Sequence, residues 1–192
     1  MKIEQLSEYV YEDLNGRIAC VDYTDDLIIY FQCDDAKEID VIRKFSITCH
    51  GVIESDVQPD FSGYIAFTDE HQLLWSHNEP QGYLYYSSEA DNQYELLGKL
   101  WEINEMIYGG WRHIKDFVNT SNAGHMIEFC KGSNGLLAQG PKPLLDEFQK
   151  TASKHLKTNY VSSYTPDGGY RALVFDTSYV ICKAVTVNEI TS

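Results

Sequence analysis

Basic residues are scarce in this chain: 15 lysines and arginines stand against 29 aspartates and glutamates in 192 residues, a formal charge of −14. A surface of that sign repels phosphate backbones and anionic lipid, which argues against nucleic acid or membrane as partners. Long apolar runs are lacking too. No stretch of about eighteen uncharged apolar residues occurs, the length a spanning helix needs. The segment Met1 to Tyr11 is acidic and periodic where a secretion signal would be basic and then apolar. The expectation is a soluble protein of the cytoplasm.

Local catalytic motifs are missing as well. The chain has no Gly-x-Ser-x-Gly elbow, no His-Glu-x-x-His, no Cys-x-x-Cys and no Walker loop. Cysteine is present without a framework: Cys20, Cys33, Cys49, Cys130 and Cys182 are odd in number and widely spaced, and most sit inside apolar runs. That pattern fits free thiols in a reducing compartment. Neither a cofactor nor a metal is expected. His71 and His77 flank a segment read as a strand, and six residues of strand rise would hold them about 20 Å apart. Cys49 and His50 are neighbours whose side chains should point to opposite faces of a strand, which spoils a local thiol-imidazole pair. Lys131-Gly132-Ser133-Asn134-Gly135 could cradle an anion, yet it lacks the phosphate-loop spacing and reads as a turn.

What the sequence does have is core material, with 43% hydrophobic and 13% aromatic residues. The clearest element runs from Ser88 to Tyr108, where Leu96, Leu100, Ile103 and Ile107 recur at helical spacing beside Tyr94, Leu97, Trp101 and Met106. Ser88 suits the N-cap, Gly109-Gly110 the stop, and Trp101 is expected to be buried. Ile3, Leu6, Val10 and Leu14 suggest a short helix ending at Asn15-Gly16, preferred over a hairpin turn there. Arg17 to Tyr23 and Leu27 to Cys33 read as an antiparallel pair, and Ala36 to Lys44 as a short helix. Phe45 to Ile53, Phe61 to Thr68, Gln72 to Ser76 and Tyr83 to Tyr86 read as a meander with good turn chemistry between the runs. Further on, Met126 to Cys130 reads as a strand and Pro141 to Lys157 as a helix. Tyr170 to Phe175 and Tyr179 to Val187 read as a hairpin.

The fold class expected is α+β: a mainly antiparallel sheet packed by one long central helix near 88–108, plus a C-terminal strand-helix-hairpin unit. The whole chain, 1–192, is read as a single domain, with 119–124 the best place for a lobe boundary.

Charge is uneven along the chain. Met1 to Asp60 holds 5 basic and 14 acidic residues, or −9, leaving −5 for the rest. Asp25-Asp26 and Asp34-Asp35 flank the strand Leu27 to Cys33 and, with Tyr83 and Tyr85, are the candidate partner-binding residues, against the competing reading that Tyr83, Tyr85 and Tyr86 dress a half-buried strand. No residue is assigned a catalytic role. The functional expectation is therefore a non-catalytic binding or inhibitory protein that recognises a protein partner with a basic surface. Small acidic α+β proteins of this composition include immunity proteins that neutralise toxins, often basic nucleases. The alternative is a hydrolase-like enzyme whose site is assembled from distant residues, with His50, His71, His77 or His125 as acid-base groups. Composition leaves the oligomeric state open.

Overall fold

A computed structural model describes residues 1–7, 10, 15–35, 37–38, 40–119, 130 and 132–190. These residues form eleven strands in three antiparallel sheets together with four α-helices, the α+β class that the sequence pattern predicts. The chain gathers into two compact units. One comprises Met1–Leu74 with Gly169–Ser192, the other Trp75–Gly168. The segment 119–124 lies almost wholly outside the described residues.

The first unit is built from helix α1 (Ile3–Ser7) and two four-stranded sheets. Strands β1 (Arg17–Tyr23), β2 (Leu27–Asp34), β3 (Ile42–His50) and β11 (Ala184–Glu189) are neighbours in that order in one sheet. The other runs β4 (Glu54–Asp56), β10 (Tyr179–Cys182), β9 (Arg171–Phe175) and β5 (Ile65–Thr68). The alternation of β2 is a clean period of two: Leu27, Ile29, Phe31 and Cys33 are buried, and the residues between them are only partly so. These side chains pair across to Cys49, Ile47, Phe45 and Arg43 of β3. Leu173, Phe175, Val180 and Cys182 of the second sheet join the same apolar cluster, with the Phe31 and Phe175 rings stacked at 6.3 Å. Full burial of each such side chain contributes on the order of 1.5–3 kcal/mol, so this core is the main stabiliser of the unit. Gly16 is required by close approach, because a Cβ there would lie 2.4 Å from the Ser62 carbonyl oxygen.

The second unit has one sheet, with β6 (Gln81–Tyr86) between β7 (Gly135–Pro141) and β8 (Thr158–Ser162). Helix α4 (Lys142–Ala152) packs against all three strands, and the long helix α3 (Gln93–Tyr108) packs on α4. Leu96 and Leu100 of α3 meet Leu144, Leu145 and Phe148 of α4 and Leu84 of β6 in one cluster. A short helix, α2 (Trp75–Asn78), opens the unit.

Several expectations change at the level of individual elements. Helix α3 starts at Gln93, because Asn92 is the residue whose side chain accepts the Glu95 amide; Ser88 instead accepts the Lys157 amide at 2.8 Å. Gly109 ends it with φ 55, as its position suggests. Trp101 is not buried: it is 52% exposed, with Tyr94 at 67% and Met106 at 84%, because the buried row is Leu96, Leu100, Asn104 and Tyr108. Gln72 to Ser76 is a helical turn running into α2 rather than a strand. Residues 42–44 belong to β3, so no helix runs through to Lys44. The arm expected from Tyr179 to Val187 breaks at Lys183, whose amide donates to the His50 carbonyl, and the chain leaves one sheet for the other there. Strands β7 and β8 have no counterpart among the elements expected from the sequence, and the strand expected from Met126 lies outside the described residues except for Cys130.

Candidate functional site

The β1–β2 hairpin is short because Thr24-Asp25-Asp26 supplies bend residues between two runs rich in β-branched and aromatic side chains. Asp25 and Asp26 therefore sit at the tip. Two neighbours join them without having been singled out in the sequence: Asp22 is exposed, and Tyr23 is 63% exposed. Tyr23 is the last residue of β1 and pairs with buried Leu27, yet it stays largely exposed.

Asp34 and Asp35 lie at the other end of β2. Eight residues of strand separate them from Asp26, about 26 Å at the usual rise, so the two acidic pairs do not converge. Their environments also differ. Asp34 accepts from Asn15 Nδ2 at 2.6 Å. Asp35 closes a turn, its Oδ1 accepting the Lys37 amide at 2.7 Å and the Glu38 amide at 3.1 Å. Arg43 stands 3.8 Å from its other oxygen and makes a two-pronged pair with Glu189 at 2.8 Å for each contact. The Lys37 amide, seconded by Glu38 and Arg43, holds the Asp35 carboxyl below its ordinary range, and the Arg43 hydrogen bond does the same for Glu189. Asp35 is thus committed to local structure in a way that Asp25 is not.

Tyr83 and Tyr85 belong to the second unit. They alternate with buried Leu84 on the central strand β6 and face solvent together, their rings 6.2 Å apart and tilted by 46°. Exposed Val161 of β8 and Gln139 of β7 lie directly across from Tyr83.

One grouping of distant residues stands out beside the hairpin tip. Asp26 Oδ2 lies 3.0 Å from His50 Nδ1, and His50 Nε2 lies 3.1 Å from Thr186 Oγ1. A carboxylate only accepts, so a neutral ring here donates from Nδ1 and accepts the Thr186 hydroxyl proton at Nε2. That is an orienter, a base and a hydroxyl in order. The row lies on the solvent-facing side of β3 and β11, with His50 and Asp26 each more than 40% exposed. Cys49, next to His50, points the other way into the core as expected, and contact with Cys182 together with burial keeps its thiol protonated.

Three other histidines serve the fold. His71 Nδ1 accepts the Leu73 amide at the start of a helical turn, and burial pushes its pKa down. His113 opens another such turn, and His155 reaches Asp91 at 3.0 Å. His125 lies outside the described residues. His71 and His77 are not held apart by strand rise, since the segment between them is helical rather than extended. No group of three or more His, Cys, Asp or Glu side chains is placed to hold a metal ion among the described residues. All five cysteines are free thiols, only Cys20 exposed. Gly132 to Asn134 is a bend leading straight into β7, so the loop has no helix to complete an anion cradle. An open cleft of about 380 Å³ is lined by Arg17, Ile18, Ala19, Pro59, Asp60 and Phe61, and no histidine reaches it. In the second unit a cleft of about 260 Å³ runs past Tyr83, Asp116 and Tyr164.

No helix among the described residues is long and apolar enough to cross a membrane. No protein-family model matches the chain, and neither does any curated protein or solved structure, so a functional reading rests on the residues and geometry above.

Proposed function

We propose that this chain is a non-catalytic protein of the cytoplasm that binds and blocks a partner with a basic surface, and that its class is an immunity protein neutralising a basic toxin such as a nuclease. The observation that supports this reading is the β1–β2 tip. Tyr23, 63% exposed, stands among Asp22, Asp25 and Asp26 on the unit that carries most of the negative charge. Tyrosine supplies contact area at low conformational cost, while the carboxylates attract a basic surface and orient it. Asp34 and Asp35, at the far end of β2, belong to the same field, and Tyr83 with Tyr85 offers a second aromatic contact surface. The test is a growth and binding assay with the product of the adjacent reading frame. Co-expression should rescue growth, and Tyr23→Ala should weaken the complex about tenfold or more without unfolding the protein. Full protection by a variant lacking Tyr23, Asp22, Asp25 and Asp26 would refute it.

A second reading, a hydrolase-like enzyme, is favoured by the Asp26–His50–Thr186 row, with Thr186 as nucleophile, His50 as base and Asp26 orienting the ring. Against it stands the position on an open sheet face, where water is not excluded. Hydrolysis of an activated ester that His50→Ala abolishes, with a fluorophosphonate adduct on Thr186, would establish the enzyme; equal background turnover in both proteins would dismiss it.

A further inference from the structure

The least expected feature of the molecule is the solvent side of α3. Tyr94, Gly98, Trp101 and Glu105 follow one another at i, i+4, i+7 and i+11, a single stripe along the helix. Tyr94 is 67% and Trp101 52% exposed, and tryptophan and tyrosine are among the residues most enriched at the energetic centres of protein interfaces. Gly98 lies between them. A Cβ built at this position would meet nothing within 4 Å, so no neighbouring element needs the glycine for close packing. A helix interior disfavours glycine; here its effect is that no side chain stands between Tyr94 and Trp101 on the stripe. Seven residues of helix rise place Tyr94 and Trp101 about 10 Å apart along the axis. A planar group held between two rings needs about 7 Å, one van der Waals separation on each side.

The charges beside the gap identify what enters it. Glu102 and Glu105 are exposed, and no ion pair holds either of them among the described residues. The nearest cation on the helix, Lys99, is already engaged by Glu95. We propose that this face of α3 docks an arginine side chain presented by a basic protein partner, with the guanidinium between Tyr94 and Trp101 over Gly98 and with Glu102 and Glu105 as its counter-charges. Arginine suits the slot better than lysine. Its guanidinium is flat, sheds water more readily and stacks on aromatic faces while its N–H groups donate outward to carboxylates. The inference takes its class of partner from the reading above and adds a further contact surface on the unit that carries Tyr83 and Tyr85.

The test uses the full chain and a short labelled peptide of arginines spaced by glycine and serine, with an all-lysine counterpart of equal charge. Binding is followed by polarisation of the label and by tryptophan emission, with circular dichroism confirming each variant's fold. The arginine peptide should bind several-fold more tightly than the lysine peptide and perturb tryptophan emission. Trp101→Ala should lose about tenfold in affinity. Gly98→Leu, which fills the gap with a good helix former, should lose as much, and Trp101→Tyr should retain most of the binding. Met106→Ala, off the stripe, should change nothing, and the combined Asp22→Asn, Asp25→Asn and Asp26→Asn variant should keep both the preference for arginine over lysine and the tryptophan response. Equal binding of the two peptides, or parental affinity in Trp101→Ala and Gly98→Leu, would overturn the proposal. Loss only in the hairpin variant would place the peptide at the tip, overturning the α3 site while leaving the hairpin reading intact.

Discussion

The two compact units divide charge and structure differently. The sheet unit, Met1–Leu74 with Gly169–Ser192, has 7 basic and 18 acidic residues, −11; the helical unit, Trp75–Gly168, has 8 and 11, −3. Charge acts at a distance, about 8 Å at physiological ionic strength, and governs how fast partners meet. Exposed rings act only on contact and govern how long they stay. In the proposed reading attraction falls to the sheet unit, with Tyr23 at its tip. Adhesion falls to the helical unit, with Tyr83, Tyr85, Tyr94 and Trp101 at its surface and little net charge.

The sharpest contrast to test is burial against exposure within the helical unit. Phe148→Ala empties a fully buried site and should cost about 3–5 kcal/mol, whereas Trp101→Ala should cost less than about 1 kcal/mol. Thermal unfolding of the two variants decides this, and similar losses would mean that Trp101 is a packing residue. Next in size is the kinetic signature of the charged unit. Replacing Asp22, Asp25, Asp26 and Asp34 by asparagine should slow association with a basic partner by about an order of magnitude at low salt and leave dissociation nearly unchanged. Stopped-flow rates across a salt series would show it. An effect of equal size on dissociation would erase the division of labour between the units.

A smaller effect is expected at Gly98. Gly98→Ala should stabilise the protein by about 0.5–1 kcal/mol, since the helix gains a better former and the added methyl meets open space. A lowered melting temperature would show that the gap is packed in solution. Smallest is the acid response of the sheet unit. Asp35 and Glu189 are both held below their ordinary pKa, so the stability they contribute is complete above about pH 5. It is lost as the pH falls through their lowered folded values. Glu189→Gln should flatten the melting temperature profile on that acid limb, and an unchanged profile would show that the Arg43 cluster has no thermodynamic weight.

Much of the fold could be read from local pattern. The hairpin of β1 and β2 was legible because alternation and turn chemistry are properties of adjacent residues, and so was the body of α3, because its apolar spacing repeats over four turns. Strands β7 and β8 escaped since Gly135-Leu136-Leu137-Ala138 and Thr158 to Ser162 are short and not clearly alternating, and are ordered by pairing with β6. Gln72 to Ser76 misled for a related reason: five residues with two leucines and a tryptophan carry too little periodicity to separate strand from helical turn. Of the candidate site, the acidic pairs could be found by inspection. Tyr23 could have been found from its place beside the turn. The Asp26–His50–Thr186 row could not, since its members are 24 and 136 residues apart.

By itself the sequence determined the net charge and its bias toward the front, the α+β class, and the absence of local catalytic motifs. Each depends on residue identity or on neighbours within a few positions. Only the tertiary structure decided which side of α3 is buried. Its apolar residues wrap more than half of the helix, so periodicity allowed Trp101 either inside or outside. The choice fell to α4, whose Leu144, Leu145 and Phe148 cluster with Leu96 and Leu100 and leave Tyr94 and Trp101 to solvent. Packing between elements distant in sequence settles what periodicity leaves degenerate, because a helix with a broad apolar face can satisfy the hydrophobic effect in more than one orientation.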